Sequence, residues 1–312
     1  MNNDAVSRFP EYRAPDDYVY LLLDGWAECA SDHPLSVPSL IQSLGDDAIT
    51  RVLRPDLSHS PDLCPALIRL AAPGEDVPQR YLGLSAEYAS QDLVHSKRYV
   101  CGWLLSPQPL EVVATHIADR CRTTAPEGEP SSAWFEPLRL ELLLGAMSTQ
   151  AGDLLGAIRF WLFPLSWGGY TLLRGTACPC DTALSDTAKE TQHLAPVVNR
   201  FLGIWRHALR RPPRFAPWRW AGTSGLPAQA AVHGFRLIRD ARRLGLANNR
   251  DLISLSLRRV FLHPHLPQHP DIQQAIAQAR AGALDLQSHF ASHSEATWRR
   301  IVSELPRAEN YS

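Results

Sequence analysis

Asp24 is the first residue whose type and position suggest chemistry. It follows the apolar run Tyr18–Leu23 and precedes Gly25. A carboxylate at the end of a buried strand can accept a phosphoryl group or bind a metal ion, but metal sites use several oxygen ligands, and no second acid stands beside it. Asp-Gly is also a common turn dipeptide, so a turn is the favoured interpretation.

Cysteines and histidines provide a second candidate, a soft-metal site. Cys178 and Cys180 flank a proline, and a proline-rich loop contains His263, His265 and His269. Zinc sites usually separate their cysteines by two to four residues, so Cys-Pro-Cys is too tight. We therefore predict no metal and no other cofactor, and we interpret the six cysteines of the chain as reduced thiols.

An enzymatic alternative is a hydrolase or transferase that uses Asp24, Ser106 and His116. These three residues fall at the ends or edges of elements, and a sequence cannot show whether they converge. His116 lies at the edge of an apolar helical face, where a buried, hydrogen-bonded histidine is favoured over a catalytic base. The chain lacks G-x-S-x-G, a phosphate-binding loop, G-x-G-x-x-G after a strand and H-E-x-x-H. We predict that it is not an enzyme.

A basic aromatic segment, Trp205–Trp220, is the most unusual stretch of the sequence. It interleaves aromatic rings with arginines and contains no acid. Its candidate partner-binding residues are Trp205, Arg206, Arg210, Arg211, Arg214, Phe215, Trp218, Arg219 and Trp220. Arginine and tryptophan are enriched at protein interfaces, but they also stack on single-stranded nucleic acid and lie on acidic membranes. Packing of the tryptophans between two lobes is the structural alternative.

The elements that position these residues differ between the two halves. Up to residue 176, apolar β-branched runs alternate with amphipathic stretches, which predicts an α/β domain. Strands are expected at Tyr18–Leu23, at the edge position 51–53, in 64–71, at Tyr99–Leu105, and in a hairpin of 156–163 with Tyr170–Arg174. Helices are expected near 79–94, 109–122 and 138–147, and a short helix or a loop is expected at 36–44. The terminal hairpin makes a mixed sheet more plausible than a parallel one.

The second half carries a helical pattern. Helices are expected at 187–211, 227–245, 249–262, 270–282 and 286–304, with breaks at prolines and glycines. The fold class is thus α/β (α+β), a mixed-sheet domain followed by an all-helical domain. The expected organisation is an N-terminal arm over 1–17, an α/β domain over 18–176, a linker over 177–186 and an arginine-rich helical domain over 187–312.

The two halves of the chain also differ in net charge, the first being acidic and the second basic. Residues 1–195 contain 14 basic and 25 acidic residues, whereas residues 196–312 contain 17 arginines and 7 acids. Only Lys97 and Lys189 are lysines, against 29 arginines. A hydrophobic fraction of 45 % supports a globular core. Because the start does not resemble a signal peptide and no run has the roughly 18 apolar residues of a membrane span, we expect a cytoplasmic protein with no membrane partner.

Short motifs in the first half occur in a recognisable order. They are Tyr20–Gly25 (YLLLDG), Cys64–Leu70 (CPALIRL), Gly102–Ser106 (GWLLS) before Thr115–Ile117 (THI), Phe135–Leu138 (FEPL) and Leu155–Ile158 (LGAI). In this order the chain resembles, over residues 18–175, the family of unknown function numbered 4123, the effector adaptors of bacterial type VI secretion. The motif positions, expected to be structural, are Asp24, Gly25, Trp103, Ser106, His116, Glu136 and Pro137.

The resemblance implies a role without catalysis. Members of that family act as adaptors or chaperones that hold a cognate secreted effector and load it onto the spike protein (VgrG). The resemblance therefore implies these two protein partners and no catalytic residues. A nucleic-acid-binding protein that works through the basic half stays open as an alternative, although nucleic acid is the less favoured partner.

Overall fold

This computed structural model describes residues 4–57, 59–95, 97–176, 183–210 and 225–306. The chain divides into two compact units, Met1–His193 and Leu194–Ser312. The first unit is an α/β domain and the second is helical, so the predicted fold class is confirmed at this level.

The first unit is built on a six-stranded sheet with the order β2-β3-β1-β4-β5-β6. Its strands are β1 (Tyr18–Leu23), β2 (Ile49–Arg51), β3 (Ala66–Ala71), β4 (Val100–Ser106), β5 (Phe160–Pro164) and β6 (Tyr170–Arg174). Its helices are α1 (Asp4–Ser7), α2 (Val37–Leu44), α3 (Gln79–Gln91), α4 (Leu110–Thr123) and α5 (Pro137–Met147).

Every strand pair in this sheet is antiparallel. The predicted mixed sheet is therefore corrected. The connection through α2 makes β2 run in the same direction as β1. The connection through α3 makes β4 run in the same direction as β3, as in βαβ units. However, β3 lies between β1 and β2, and β1 lies between β3 and β4. The alternation of strands and helices predicted these crossover connections. It could not show that another strand lies between the two strands that each connection joins.

Both faces of the sheet are covered by apolar residues. Along β1, Tyr20 and Leu22 face one core cluster with α4 and α5. Val19, Leu21 and Leu23 face a second cluster with α2 and α3. These five side chains are fully buried, because successive residues of a strand point to opposite faces. The continuous apolar run in the sequence thus marks a central strand with helices on both sides.

The N-terminal residues belong to the second of these clusters. Val6 in α1 and Phe9 are fully buried against it. The predicted separate arm over 1–17 is therefore corrected, since from Asp4 onwards it is part of the α/β unit. The polar composition of residues 1–17 predicted an arm outside the core, although Val6 and Phe9 are core residues.

A glycine shapes the central strand pair. Gly102 in β4 has φ +145°, and a Cβ there would lie 2.4 Å from Nε1 of Trp161 on β5. The β1–β4 register shifts beside it, between Leu22 and Leu23. Only glycine tolerates this conformation and this approach at the bulge.

The second unit contains the described helices α6 from residue 194, α7 (Ala230–Arg243), α8 (Asn249–Phe261), α9 (Pro270–Arg280), α10 (Leu286–Ser292) and α11 (Glu295–Ser303). The single helix predicted over 286–304 is two helices. The side chains of Asp285 and Ser294 cap α10 and α11, accepting hydrogen bonds from the N–H groups of Ser288 and Thr297. Two capping residues nine positions apart favour two short helices over one long one.

Helix α6 (Asp186–Arg210) crosses the division between the units. Its first residues belong to the α/β unit, where Ala188, Thr191 and Gln192 are buried. Of the linker predicted over 177–186, only residues 183–186 lie in the described part of the chain. The division into units therefore falls after His193, seven residues later than the predicted start of the helical domain.

Candidate functional site: one end of the sheet

One end of the sheet gathers most of the motif residues. Strand β1 ends there at Leu23, which pairs with Ala66 at the start of β3 and with Val100 at the start of β4. Strand β2 ends there at Arg51, opposite Ala66. The turn between β5 and β6 lies at the same end. We call it the Asp24 end.

Asp24 is fully buried at this end. Its backbone N–H donates to the carbonyl of Tyr99 at 2.7 Å, and its Oδ1 accepts from the N–H of Trp26 at 3.1 Å. Its Oδ2 lies 3.9 Å from Nζ of Lys97. Burial raises the pKa of Asp24 above its usual value, and the Lys97 ammonium partly opposes that rise. The predicted Asp-Gly turn is therefore present with an added charged contact.

Lys97 connects Asp24 to the second motif acid. Its Nζ donates to Oε1 of Glu136 at 2.6 Å and lies 5.7 Å from the centre of the Trp26 ring. Glu136 stands immediately before α5, and its Oε2 accepts from Nε of Arg139 at 3.3 Å. Asp24, Lys97, Glu136 and Arg139 thus form a continuous charged chain, which we call the Lys97 network. The ammonium suits this position because it donates in several directions at once.

A second ion pair lies beside the network. Arg54, almost fully buried, donates from Nε and Nη2 to the two oxygens of Asp56 at 3.1 and 2.6 Å. Oγ of Ser131 donates to the same carboxylate at 2.5 Å, and the guanidinium lies 5.8 Å from the centre of the Phe135 ring. A bidentate pair of this kind fixes the loop after β2 to the segment that leads into α5.

Exposed apolar side chains surround these charges. At the Asp24 end, Trp26 is 49 % exposed, Leu53 56 %, Leu63 42 % and Trp167 38 %. They are four of the seven large exposed apolar residues described in the α/β unit. The Leu63 backbone approaches the turn that precedes Trp26, because a Cβ on Gly25 would lie 3.0 Å from the Leu63 carbonyl. We call these four residues the apolar rim. A concentration of exposed apolar residues at one end of a sheet favours a protein-binding surface.

The remaining motif residues hold the structure. Trp103 is buried and its Nε1 donates to Oγ of Ser85 at 2.9 Å. Pro137 is the first residue of α5, where its missing N–H costs no helical bond. A Cβ on Gly25 would also lie 2.6 Å from the carbonyl of Cys64, so the turn needs glycine. Trp103 thus packs in the core, Pro137 begins a helix and Gly25 forms a tight turn.

The residues of the enzymatic alternative do not come together. Ser106 pairs with Tyr18 at the opposite end of β1. Asp24 lies six residues after Tyr18, so Asp24 and Ser106 are roughly 20 Å apart along the strand direction. Oγ of Ser106 donates to the carbonyl of Ala157 at 3.0 Å, and Nε2 of His116 lies 3.0 Å from the carbonyl of Leu154. Burial lowers the pKa of His116.

The basic aromatic segment is described only up to Arg210. Trp205 is fully buried, with its ring 5.6 Å from Phe201 and 6.1 Å from His233. Its predicted role in partner binding is corrected to packing inside the helical unit, since α6 presents it to that core. Arg206 and Arg210 follow it on the helix and are partly and largely exposed, respectively. Arg211, Arg214, Phe215, Trp218, Arg219 and Trp220 lie outside the described residues.

The histidines of the proline-rich loop have separate roles. Nδ1 of His263 accepts from the N–H of His265, and Nδ1 of His269 accepts from the N–H of Asp271 at the start of α9. Nε2 of His269 lies 2.8 Å from Oε2 of Glu304. Within the described ranges, no three histidine, cysteine or acidic side chains form a metal-binding group. Cys178 and Cys180 lie outside those ranges.

Sequence reasoning missed the apolar rim and Lys97. Single exposed apolar residues are common, so Trp26, Leu53, Leu63 and Trp167 carry no periodic pattern in the sequence. Lys97 had one usable indication, its rarity in a chain with 29 arginines and two lysines. The topology brings these positions together from four separate loops.

Comparison with known proteins leaves the family open. No protein-family model matches the chain, and neither the curated proteins nor the solved structures give a significant match. The resemblance to the effector adaptors therefore rests on the motifs quoted above. Among the described residues, no helix combines the length and apolar character needed to cross a membrane.

Proposed function

We propose that this protein is a non-enzymatic cytoplasmic adaptor that binds other proteins through the Asp24 end of its α/β unit. The observation that carries the proposal is the apolar rim. Trp26 is half exposed but stands on a rigid base, because Asp24 is buried beneath it and Gly25 contacts the Cys64 carbonyl. Aromatic side chains on rigid supports are the usual centres of protein interfaces, since little conformational entropy is lost when they bind.

The Lys97 network supplies specificity beside this apolar contact. Lys97 is partly exposed while its ammonium contacts Glu136 and the Trp26 ring. A partner that covers Trp26 would bury this charged chain, in which each charge already has an opposite neighbour. Burial of paired charges is far less costly than burial of isolated ones. The surface therefore suits a folded protein partner or a helix with an apolar stripe.

The proposed partners are a cognate secreted effector and the VgrG spike protein. The motif order supports this proposal, and so does the convergence of Asp24 and Glu136 on Lys97, which contacts Trp26 of the apolar rim. The effector would be held in the producing cell and loaded onto the spike.

Co-purification tests the function. The tagged full-length chain is expressed with an effector and a spike protein encoded beside its gene, and the complexes are measured by light scattering. We expect the effector to co-elute with the adaptor in a defined stoichiometry. Failure to bind either protein, with binding of single-stranded nucleic acid instead, would favour the nucleic-acid alternative.

A further inference from the structure

The helical unit contains a solvent-open cavity of about 480 Å³ beside the first turn of α8, the end of α9 and the start of α10. Its wall combines apolar side chains, among them Ala279 and Leu284, with the carboxylates of Asp251 and Asp285. Small-molecule and side-chain sites have volumes of this size and mixed walls of this kind. The cavity is distant in sequence from the Asp24 end and is independent of the function proposed above.

Asp251 is the inner polar group of this cavity. The residue is 4 % exposed, and its Oδ1 accepts a hydrogen bond from the N–H of Leu286 at 2.8 Å. Its Oδ2 accepts none from any residue in the described ranges and is not sealed from the cavity. The carboxylate is therefore held in place by one oxygen while the other is available. A carboxylate oxygen that has no donor and reaches the cavity can accept a charge-assisted hydrogen bond from a cationic ligand group.

Asp285 adds a second carboxylate to the same cavity. It caps α10, and the hydrogen bond from the N–H of Ser288 holds its pKa below the usual value. Its charge also helps to raise the pKa of Asp251, after burial as the larger cause. A cation placed near both groups would therefore relieve a repulsion that already exists between them.

The nearby arginines do not neutralise these two acids. Arg280 lines the cavity, but the residue is exposed and its side-chain stem packs against Gly245. Arg250 is also exposed and lowers the pKa of Asp285 only through its charge. Within the described ranges, neither arginine forms an ion pair with Asp251 or Asp285. The inner end of the cavity keeps its negative character, in a unit that is otherwise strongly basic.

We propose that this cavity binds an organic cation, a guanidinium or primary ammonium group on a short aliphatic stem. The charged group would donate to Oδ2 of Asp251 and interact with Asp285, and the stem would pack against Ala279 and Leu284. Carboxylates bind guanidinium groups through strong charge-assisted hydrogen bonds. A divalent metal is not favoured, because Ca²⁺ takes six to eight oxygen ligands and the described residues offer no group of three ligand side chains.

Calorimetry with the full-length chain tests this site. The probes are agmatine, a free organic cation, and acetyl-arginine amide, which represents an arginine side chain of a protein. Acetyl-citrulline amide is the neutral control of nearly equal shape. We expect saturable binding of at least one cationic probe and at least tenfold weaker binding of the citrulline probe. Binding of agmatine alone assigns the site to free amines, whereas binding of acetyl-arginine amide assigns it to a basic side chain.

Two variants locate the binding. Asp251→Asn keeps an oxygen for the Leu286 N–H but removes the charge, and it should weaken the cationic probe at least tenfold. The matched control Glu295→Gln removes an exposed carboxylate of the same unit outside the cavity and should leave the affinity unchanged. Ala279→Leu fills the cavity without touching a polar group and should also weaken binding, which covers the case in which Asp251→Asn fails to fold. Absence of saturable binding by either cation, or equal affinities for Asp251→Asn and Glu295→Gln, overturns the proposal.

Discussion

Nη1 of Arg139 donates a hydrogen bond at 2.9 Å to the backbone carbonyl of Gln192. In a regular helix that carbonyl would accept from the N–H of residue 196, but residue 196 is a proline and has no N–H. The Gln192 side chain returns the contact, since its Nε2 donates to the Arg139 carbonyl at 3.2 Å. Arg139 also ends the Lys97 network, so the same side chain fixes the start of α6 and the motif acid Glu136.

The first prediction concerns this contact. Arg139→Met should lower the free energy of unfolding by about 2 kcal/mol, because it removes charge-assisted hydrogen bonds and leaves the Gln192 carbonyl without a donor. Urea unfolding followed by circular dichroism measures the change. Arg122→Met is the matched control, since Arg122 forms an exposed pair with Asp119, and it should change stability by less than about 0.5 kcal/mol. Equal effects of the two variants would contradict the role of Arg139.

The second prediction concerns the pH dependence of stability at Asp24. Burial raises its pKa in the folded state, so the folded protein binds more protons than the unfolded chain just above the ordinary value of 3.8. Stability attributable to this group therefore falls as pH rises through that window, and the cost persists at neutral pH. Asp24→Asn keeps the acceptor for the Trp26 N–H and removes the titration.

The stability of Asp24→Asn relative to wild type should accordingly increase from about pH 4 to about pH 7. Urea unfolding of both proteins across this range gives the difference. Asp47→Asn is the control, because its carboxylate is exposed in a pair with Arg69. Parallel pH profiles of wild type and Asp24→Asn would show that Asp24 titrates as it does in the unfolded chain.

The third prediction tests the apolar rim. Trp26→Ala combined with Trp167→Ala should weaken effector or spike binding by about 30-fold or more, which corresponds to about 2 kcal/mol. The melting temperature should stay near that of wild type, because both rings are substantially exposed. Tyr12→Ala is the matched control: Tyr12 is 54 % exposed beside Phe160, at the opposite end of the sheet. Equal binding by the double variant and Tyr12→Ala would place the interface elsewhere.

The fourth prediction separates the tryptophans of the basic aromatic segment. Trp205→Ala should destabilise the helical unit by about 3–5 kcal/mol, because it leaves a cavity beside Phe201. Trp218→Ala combined with Trp220→Ala should instead weaken partner binding while the melting temperature stays near wild type. The reason is the sequence itself: seven acids in residues 196–312 cannot pair with 17 arginines. Calorimetric melting and a binding titration distinguish the two effects. A sharp loss of stability in the double variant would assign Trp218 and Trp220 to a core.

Local patterns in the sequence were enough to locate most helices and strands and to identify the central strands. The apolar run at Tyr18–Leu23, the helical spacing of Leu110–Thr123 and the turn residues between β5 and β6 are local properties, because propensity and periodicity act over a few residues. The order of elements and the charge reversal also separated an α/β unit from a helical one. The turn at Asp24-Gly25 was predicted for the same local reason, whereas the structural roles expected of Trp103 and Pro137 came from the family resemblance.

Which helices and strands are neighbours could be learned only from the folded chain. The antiparallel sheet depends on β1 and β3 lying between strands that the chain connects through helices, and sheet order is a long-range property. The Lys97 network joins positions 24, 97 and 136, and the apolar rim joins loops more than 100 residues apart. Likewise, Trp205 was a candidate for a binding surface in the sequence, but its burial in the structure shows that it is a core residue. A sequence records composition at each position, whereas exposure and proximity arise only when the whole chain packs.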